Sequence, residues 1–445
     1  MTEQGVRWTA EQVLALAPDD ASRTAGSRLG GAGPWSQIGG SASGSLWGVC
    51  KGSSRTPYRT VVDLSGPAYT CSCPSRKFPC KHALGLLLLW SAEGVGELVE
   101  APDWAASWLA ERAARAARTA AGTGRPADEE GARRRAERRA ARIGAGVTEL
   151  EQRLADLLRG GLAGQEQAGY AAWEETAARM VDAQAPGLAG RVRELGTIPG
   201  CGPGWPARML EEAALLHLLD RAWLGVAGLP GPLAATVRSR VGLPASGEGE
   251  AVRDRWLVLA QNDAVSPDGR LTTRRTWLRG LTVGRPALVL DFGPPGRAPG
   301  PGLPVGLVLE AEVRFRPGSA GLRADVGEQS PVVGPGPGAP SGVGAEAALE
   351  GYGAALREDP WLESWPVVLG PVVPVPGELG WQLADADGGF ALPVPLAGGR
   401  PRAGLWQLAA LSGGGPVTVF GECGHRGFTP LTAWQPDSPE PVALA

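Results

Sequence analysis

Four residues of the types that bind transition metals lie within twelve positions of this chain. Cys71, Cys73, Cys80 and His82 follow the pattern Cys-x-Cys, six intervening residues, then Cys-x-His. The chain has 445 residues but only six cysteines and three histidines, so chance is a poor explanation for this cluster. Three thiolates and one imidazole are the ligand set of a closed, tetrahedral structural zinc site. The pattern therefore predicts one structural Zn²⁺ held by these four side chains.

The flanking sequence indicates how the four side chains converge. An extended run, 58–64, leads towards the first two cysteines, and on a strand residues i and i+2 face the same side. Two prolines then bracket a loop, and the apolar run 83–90 predicts a helix. Cys80 is expected near the N-terminus of that helix, where the helix dipole stabilises a thiolate, and His82 in its first turn. Metal binding would supply folding energy to a ββα unit too small to bury a core by itself.

Other roles for the cysteines fit the sequence less well. They can be buried small side chains or a disulfide pair, but a disulfide suits an oxidising compartment, and residues 1–8 show no apolar signal core. A catalytic cysteine–histidine pair needs one activated thiolate with free approach, whereas four clustered ligands compete for one metal. The longest apolar run, 84–90, is too short to span a bilayer. We therefore expect a cytoplasmic protein with no membrane association.

The cysteine-rich block resembles a known module. Residues 71–82 are similar to the SWIM zinc finger, whose pattern is CxC, a variable spacer, then CxH. The wider block 58–89 resembles the finger in a family of bacterial SWIM zinc finger proteins of about this length. Weaker similarity to that family covers residues 178–188, 315–319 and 411–434. Only the finger carries a specific motif.

The resemblance implies a zinc-binding interaction module. SWIM modules are regarded as DNA-binding or protein-interaction domains. For the bacterial group, the resemblance implies that no enzymatic activity is established. It also implies that the genes of this group tend to neighbour genes for MoxR-type AAA ATPases and von Willebrand A-domain proteins. A protein–protein adaptor working with a MoxR-type AAA ATPase system is the specific expectation that follows.

The chain as a whole predicts an α+β multidomain protein. Residues 1–95 form an N-terminal region that contains the small ββα zinc finger at about 58–92. Two antiparallel strands are predicted there, 46–50 and 59–64, and the Gly/Ser-rich stretch 30–45 reads as a connection. We expect the finger to have a core separate from the cores of the other parts.

The rest of the chain divides into a helical and a β-rich part. Residues 103–240 carry apolar side chains at helical spacing, which predicts a helical domain. Residues 252–445 predict a β-rich C-terminal domain, because short apolar runs are separated by Pro/Gly-rich loops. One helix, 345–356, interrupts these strands, and the loops 293–304 and 331–344 are expected to be mobile.

The charges of the finger suggest a partner. The net charge of -3 gives no general attraction to nucleic acid, but the finger itself is basic. Arg76, Lys77 and Lys81 lie between or beside the ligands and are the candidate partner-binding residues, while Tyr58 and Phe78 can stack on bases. We favour a protein partner because no helix here is long and basic enough to fill a major groove. DNA or another nucleic acid is the alternative.

Isolated signals elsewhere have simpler interpretations. Cys423 and His425 repeat half of a zinc motif without a Cys-x-Cys, which favours a surface turn. Cys50 is interpreted as a buried strand residue and His217 as a packed helical histidine. The densest basic run, 133–142, is offset by nearby acidic residues and is interpreted as a solvated helix face.

Common catalytic motifs are absent from the sequence. It contains no Gly-x4-Gly-Lys-Ser/Thr, no Gly-x-Gly-x2-Gly that opens a helix after a strand, no Gly-x-Ser-x-Gly and no His-Glu-x2-His. We therefore expect a protein that is not an enzyme and has no small-molecule substrate.

Overall fold

A computed structural model describes most of the chain. The described residues are 8–41, 44–52, 56–64, 68–75, 77, 79–96, 100–121, 129–165, 170–243, 249–266, 271–294, 299, 302–331, 337–377, 380–396 and 402–444. The helices are α1 (Ala10–Ala15), α2 (Asp20–Ser27), α3 (Lys81–Ser91), α4 (Asp103–Ala121), α5 (Glu129–Gly160), α6 (Ala171–Asp182), α7 (Pro186–Thr197), α8 (Trp205–Leu224), α9 (Gly231–Val241), α10 (Ala345–Leu356) and α11 (Arg402–Ser412).

The strands form three antiparallel sheets. A four-stranded sheet has the order β1-β2-β3-β4, a five-stranded sheet the order β7-β6-β5-β8-β9, and a six-stranded sheet the order β12-β11-β10-β13-β14-β15. Their bounds are β1 (Trp35–Gly40), β2 (Ser45–Cys50), β3 (Tyr58–Asp63), β4 (Ala68–Cys71), β5 (Ala251–Val265), β6 (Thr272–Gly280), β7 (Pro286–Gly293), β8 (Val308–Phe315), β9 (Ala324–Pro331), β10 (Ser364–Gly377), β11 (Gly380–Asp385), β12 (Ala391–Val394), β13 (Val417–Gly424), β14 (Gly427–Trp434) and β15 (Val442–Ala443). The predicted fold class, with a zinc-site module, a helical middle and a β-rich C-terminal part, is confirmed.

The N-terminal sheet has four strands rather than the two that the sequence predicted. Strand β1 lies in the stretch that we interpreted as a connection, and β4 leads directly into the cysteines. Helix α3 covers one face of this sheet and is buried at residues 82–89. On the other face, Trp47 and Val61 are buried together with Ala105 of α4. Helix α4, which the sequence grouped with the helical part, therefore packs on the finger sheet.

The helical middle surrounds its own core. In α5 five apolar side chains recur every three or four residues and face this core, as the sequence predicted: Ile143, Val147, Leu150, Leu154 and Leu157. Leu158, which the sequence also placed in this stripe, is exposed instead. Trp361, which follows α10 in the chain, is also buried in this core, and its indole N–H donates to the carbonyl oxygen of Leu215 at 2.8 Å. The core of the helices is thus completed by a residue from the C-terminal part.

The five-stranded sheet is buried on both faces. Trp256 and Val258 of β5 face the same core as the buried side chains of α3. Their neighbours Leu257 and Leu259 face the six-stranded sheet, where they share a core with Phe420. Our expectation of a separate finger core is wrong, because the apolar run in β5 points alternately to both sides and each side needs a covering layer.

Stacked layers follow from this alternation. Helix α3 lies on the five-stranded sheet, that sheet lies on the six-stranded sheet, and α10 and α11 cover the far face of the latter. The finger also contacts the C-terminal part through a hydrogen bond, in which the backbone N–H of Gly302 donates to the hydroxyl oxygen of Tyr69 at 3.2 Å. The finger is therefore an integral layer of the molecule.

Candidate metal centre

The four predicted ligands lie together in space. The sulfurs of Cys71, Cys73 and Cys80 and a ring nitrogen of His82 all lie within 4.8 Å of one another. Cys71 Sγ is 3.6 Å from His82 Nδ1. No other group of three or more cysteine, histidine or acidic side chains with this proximity occurs in the described part of the chain.

Two elements position the cluster. Cys71 is the last residue of β4, and Cys73 follows in a bend, so the two sulfurs do not converge through strand alternation as we expected. The bend is fixed to β3 by two hydrogen bonds between Arg59 and Ser72, of 2.9 and 3.0 Å. Cys80 is the N-cap of α3 and His82 lies in its first turn, as predicted. The thiol of Cys80 makes no capping hydrogen bond and is available to a metal.

Backbone N–H groups lie near the sulfurs. Those of Cys73, Ser75 and Ala83 lower the pKa of the thiols of Cys71, Cys73 and Cys80, respectively, which favours the thiolate forms. This pattern stabilises the charge that three thiolates bring to a metal.

Without a metal, the thiols of the cluster differ in pKa. Hydrogen bonds from Cys80, and then from His82 and Thr60, lower the pKa of Cys71 to about 4 against the opposing effect of burial. The pKa of Cys80 is raised, chiefly by its contact with the charged Cys71 and by burial. One thiolate thus forms readily and the others hold protons, which a metal must displace on binding.

Neighbouring side chains hold the ligands in place. The ring of Tyr58 packs against the imidazole of His82, with centroids 4.8 Å apart and planes tilted by 35°. The hydroxyl of Thr60 lies 3.3 Å from Cys71 Sγ. Cys50 is buried in β2, as predicted. Sequence reasoning missed both β3 contacts, since they depend on the pairing of β3 with β4.

The residues present fit a zinc ion. Zn–S bonds of about 2.3 Å and Zn–N bonds of about 2.0 Å in a tetrahedron place two sulfurs about 3.8 Å apart and a sulfur and a nitrogen about 3.5 Å apart. The observed separation of 3.6 Å between Cys71 and His82 agrees with this geometry. Cys80 and His82 are buried and the other two ligands are half-buried, which suits a closed structural site.

Family comparison identifies the same block. A family model described as SWIM zinc finger matches residues 58–90. The chain contains a SWIM zinc finger. A second family model, described as a SWIM-associated four-helix bundle domain, matches residues 138–241, which include most of α5 and all of α6 to α9. No curated protein and no solved structure gives a significant match to the chain.

The three predicted partner-binding residues of the SWIM finger, Arg76, Lys77 and Lys81, differ in what the structure shows of them. Arg76 lies outside the described residues, as does Phe78. Lys77 is exposed, but its ammonium lies 2.6 Å from the carboxylate of Asp19, and this contact lowers the pKa of Asp19 to about 2. Lys81 is exposed at the start of α3.

Two histidines outside the SWIM finger lie beside helix carboxylates. His425 lies in the turn between β13 and β14, as predicted, with Nε2 3.0 Å from a carboxylate oxygen of Glu211 on α8. Cys423 is buried in β13, so the predicted surface turn is wrong for this residue. His217 is exposed and its Nδ1 lies 2.8 Å from Glu151, so our prediction of a packed histidine is wrong. It lies at the edge of the apolar face of α8, where helical spacing alone does not separate buried from exposed positions.

The remaining surface predictions concern charge and membranes. The basic run 133–142 lies on the exposed surface of α5, in agreement with the predicted solvated face. Across the described ranges, every helix is too short or too polar to cross a bilayer.

Proposed function

We propose that Cys71, Cys73, Cys80 and His82 bind one structural Zn²⁺ and that the finger they stabilise is a protein-interaction module without enzymatic activity. The close packing of the four ligand atoms is the observation that carries the zinc proposal. A closed site leaves no coordination position for a substrate. The interaction role rests on the SWIM zinc finger match.

The packing of the finger supports a protein partner over nucleic acid. Helix α3 is buried along residues 82–89, so it is not available to enter a groove. Tyr58, which we had considered for base stacking, packs on His82. We infer that Arg76 and the exposed side chains of Lys77 and Lys81 meet an acidic protein surface.

The resemblance to bacterial SWIM proteins gives this proposal its specific form. We infer a cytoplasmic adaptor that acts with a MoxR-type AAA ATPase system, and this inference rests on that resemblance alone. DNA or another nucleic acid is the alternative partner, because Lys81 is exposed and its positive charge attracts phosphates.

Elemental analysis tests the zinc site. Protein purified without chelator is expected to contain one zinc per chain, and Cys80→Ser to contain much less. Cys201→Ser is a matched control, because Cys201 is exposed and far from the cluster in sequence. Equal zinc in wild type and Cys80→Ser would exclude the proposed ligand set.

Charge reversal tests the interaction surface. The triple variant Arg76→Glu, Lys77→Glu, Lys81→Glu is expected to keep its zinc and lose partner proteins recovered from nuclease-treated host extract. Reversal of Arg135, Arg138 and Arg142, which are exposed on α5, is the control. Binding of labelled DNA that weakens steeply with salt in wild type, and less steeply in the finger variant, would favour nucleic acid instead.

A further inference from the structure

A cavity lies where the helical part meets the two C-terminal sheets. Its volume is about 380 Å³. Arg191 and Arg240 reach it from α7 and α9, Arg275 from β6, and Glu422 from β13. Ligand sites occur preferentially at such junctions and have volumes in this range, on the order of 300 to 1,000 Å³.

One charged pair of the lining is satisfied within the protein. Glu422 accepts hydrogen bonds of 2.8 Å from Arg275 and 2.8 Å from the indole N–H of Trp277, and one of 3.1 Å from Ser364. These contacts lower the pKa of Glu422 in spite of its burial. Arg275 and Glu422 therefore form a fixed polar wall.

Three other arginines of the lining are not fully satisfied. Arg240 binds Asp359 through Nη2 at 2.6 Å, but its Nε is buried and has no acceptor among the described residues. Arg191 and Arg323 form no ion pair with any described carboxylate, although Glu363 also lines the cavity. Burial and a second arginine nearby lower the pKa of both guanidinium groups. Among the side chains that line the cavity, four arginines thus stand against two carboxylates, those of Glu363 and Glu422.

The other walls are apolar. Four leucines contribute, Leu288, Leu290, Leu322 and Leu362. Arg191 and Arg323 are half-buried, and arginine without a carboxylate partner binds phosphate and carboxylate groups in bidentate fashion. We propose that this cavity binds a metabolite-sized organic anion, with a phosphoryl or carboxylate group on Arg191 and Arg323 and an apolar body against the leucines.

The chemistry of the lining favours a phosphoryl group. Among the described lining residues, once Arg275 is paired with Glu422 and Arg240 with Asp359, two arginines, Arg191 and Arg323, and one carboxylate, Glu363, have no ion pair. A dianion matches two guanidinium groups better than a carboxylate does. Because the lining comes from the helices and both sheets, the bound anion would also hold these parts together.

Binding of simple probes tests this proposal. Phenyl phosphate is expected to bind saturably to the full-length protein and to raise its melting temperature, as measured by calorimetry and thermal shift. Benzoate should bind more weakly, which tests the preference for a phosphoryl group. Inorganic phosphate should also bind more weakly, which tests the apolar walls. The absence of saturable binding by all three probes would overturn the proposal.

Variants locate the probe. The Arg191→Met, Arg323→Met double variant is expected to bind phenyl phosphate at least tenfold more weakly, while Arg253→Met, at an exposed arginine of β5, should bind as wild type does. Ser239→Phe, which fills the cavity and keeps the arginines, should also abolish binding, and serves if the double variant does not fold. Wild-type affinity in Ser239→Phe or in a folded double variant would refute the site.

Discussion

At the scale of single residues, the structure contains a buried acidic side chain, Asp220, that nothing in the sequence had indicated. It lies on α8, its side chain is fully buried, and neither carboxylate oxygen accepts a hydrogen bond from a described donor. Burial, and then the neighbouring carboxylate of Glu151, raises the pKa of Asp220 to about 9. The native protein therefore keeps a proton at neutral pH that the unfolded chain releases.

This proton makes stability depend on pH. Because the folded-state pKa lies above the unfolded value, the free energy of unfolding should fall as the pH rises from about 4 towards 9. Asp220→Asn keeps a donor towards Glu151 without the titration. We expect this variant to flatten the decline and to be more stable than wild type at pH 8 by about 1–4 kcal/mol. Urea unfolding at several pH values measures both effects.

The control for this prediction is another helix carboxylate. Asp182 is exposed at the end of α6, so Asp182→Asn should leave the pH dependence unchanged. A wild-type slope that survives in Asp220→Asn would show that Asp220 is ionised in the native protein.

The metal centre was predictable at this scale because its ligands are close in sequence. The spacing of Cys71, Cys73, Cys80 and His82 alone indicated their common role. The contacts that support them were not predictable, since Tyr58 reaches His82 across strand pairings. Local sequence carries ligand identity, whereas supporting contacts depend on the tertiary fold.

At the scale of elements, glycine has opposite consequences in two helices. Gly85 lies in α3 where an added Cβ would be 2.5 Å from Leu29 Cβ. Gly190 lies in α7, where an added Cβ would meet no described atom within 4 Å. Gly85 is therefore required by close packing, whereas Gly190 only lowers helix propensity.

Two alanine substitutions test this difference. Gly85→Ala is expected to destabilise the protein by about 1–3 kcal/mol, because the backbone of α3 must move away from Leu29. Gly190→Ala should stabilise it by about 0.5–1 kcal/mol through helix propensity. Denaturant unfolding with the metal retained measures both. Stabilisation by both substitutions would mean that α3 lies farther from Leu29 than the structure places it.

Helices and strands were predictable where their local composition is typical of the structure in which they are packed. The helix predicted at 345–356 is α10, with the same bounds. Strand β1 was missed because Gly39 and Gly40 suggest a loop, yet the ring of Trp47 would lie 2.7 Å from a Cβ at Gly39 and so requires glycine. Strand β10 was missed because its four prolines are atypical of an interior strand. Its register shift between Leu369 and Val372 accommodates one of them.

At the scale of the whole molecule, the parts complete one another's cores. Trp361 lies outside the matched bundle but is buried in its core, and the preceding Asp359 binds Arg240 of α9. Trp361→Ala is expected to destabilise the helical part by about 3–5 kcal/mol, because it leaves a cavity between the helices. Trp406→Ala, at a tryptophan that is 60% exposed and makes an edge contact with Trp381, should cost at most about 1.5 kcal/mol. Thermal unfolding of the two variants provides the comparison, and equal losses would contradict it.

Because the finger and the five-stranded sheet share a core, the loss of zinc is expected to affect residues beyond the finger. Chelation, or Cys80→Ser, removes metal-derived folding energy from the layer that covers Trp256 and Val258 of β5. We expect faster amide hydrogen exchange in β5 and β8 as well as in the finger. The helices α6 to α8 should be unaffected, because they pack around a different core. Cys201→Ser, at an exposed cysteine, should exchange as wild type does. Faster exchange confined to residues 58–91 would mean that the finger unfolds independently of the sheet on which it packs.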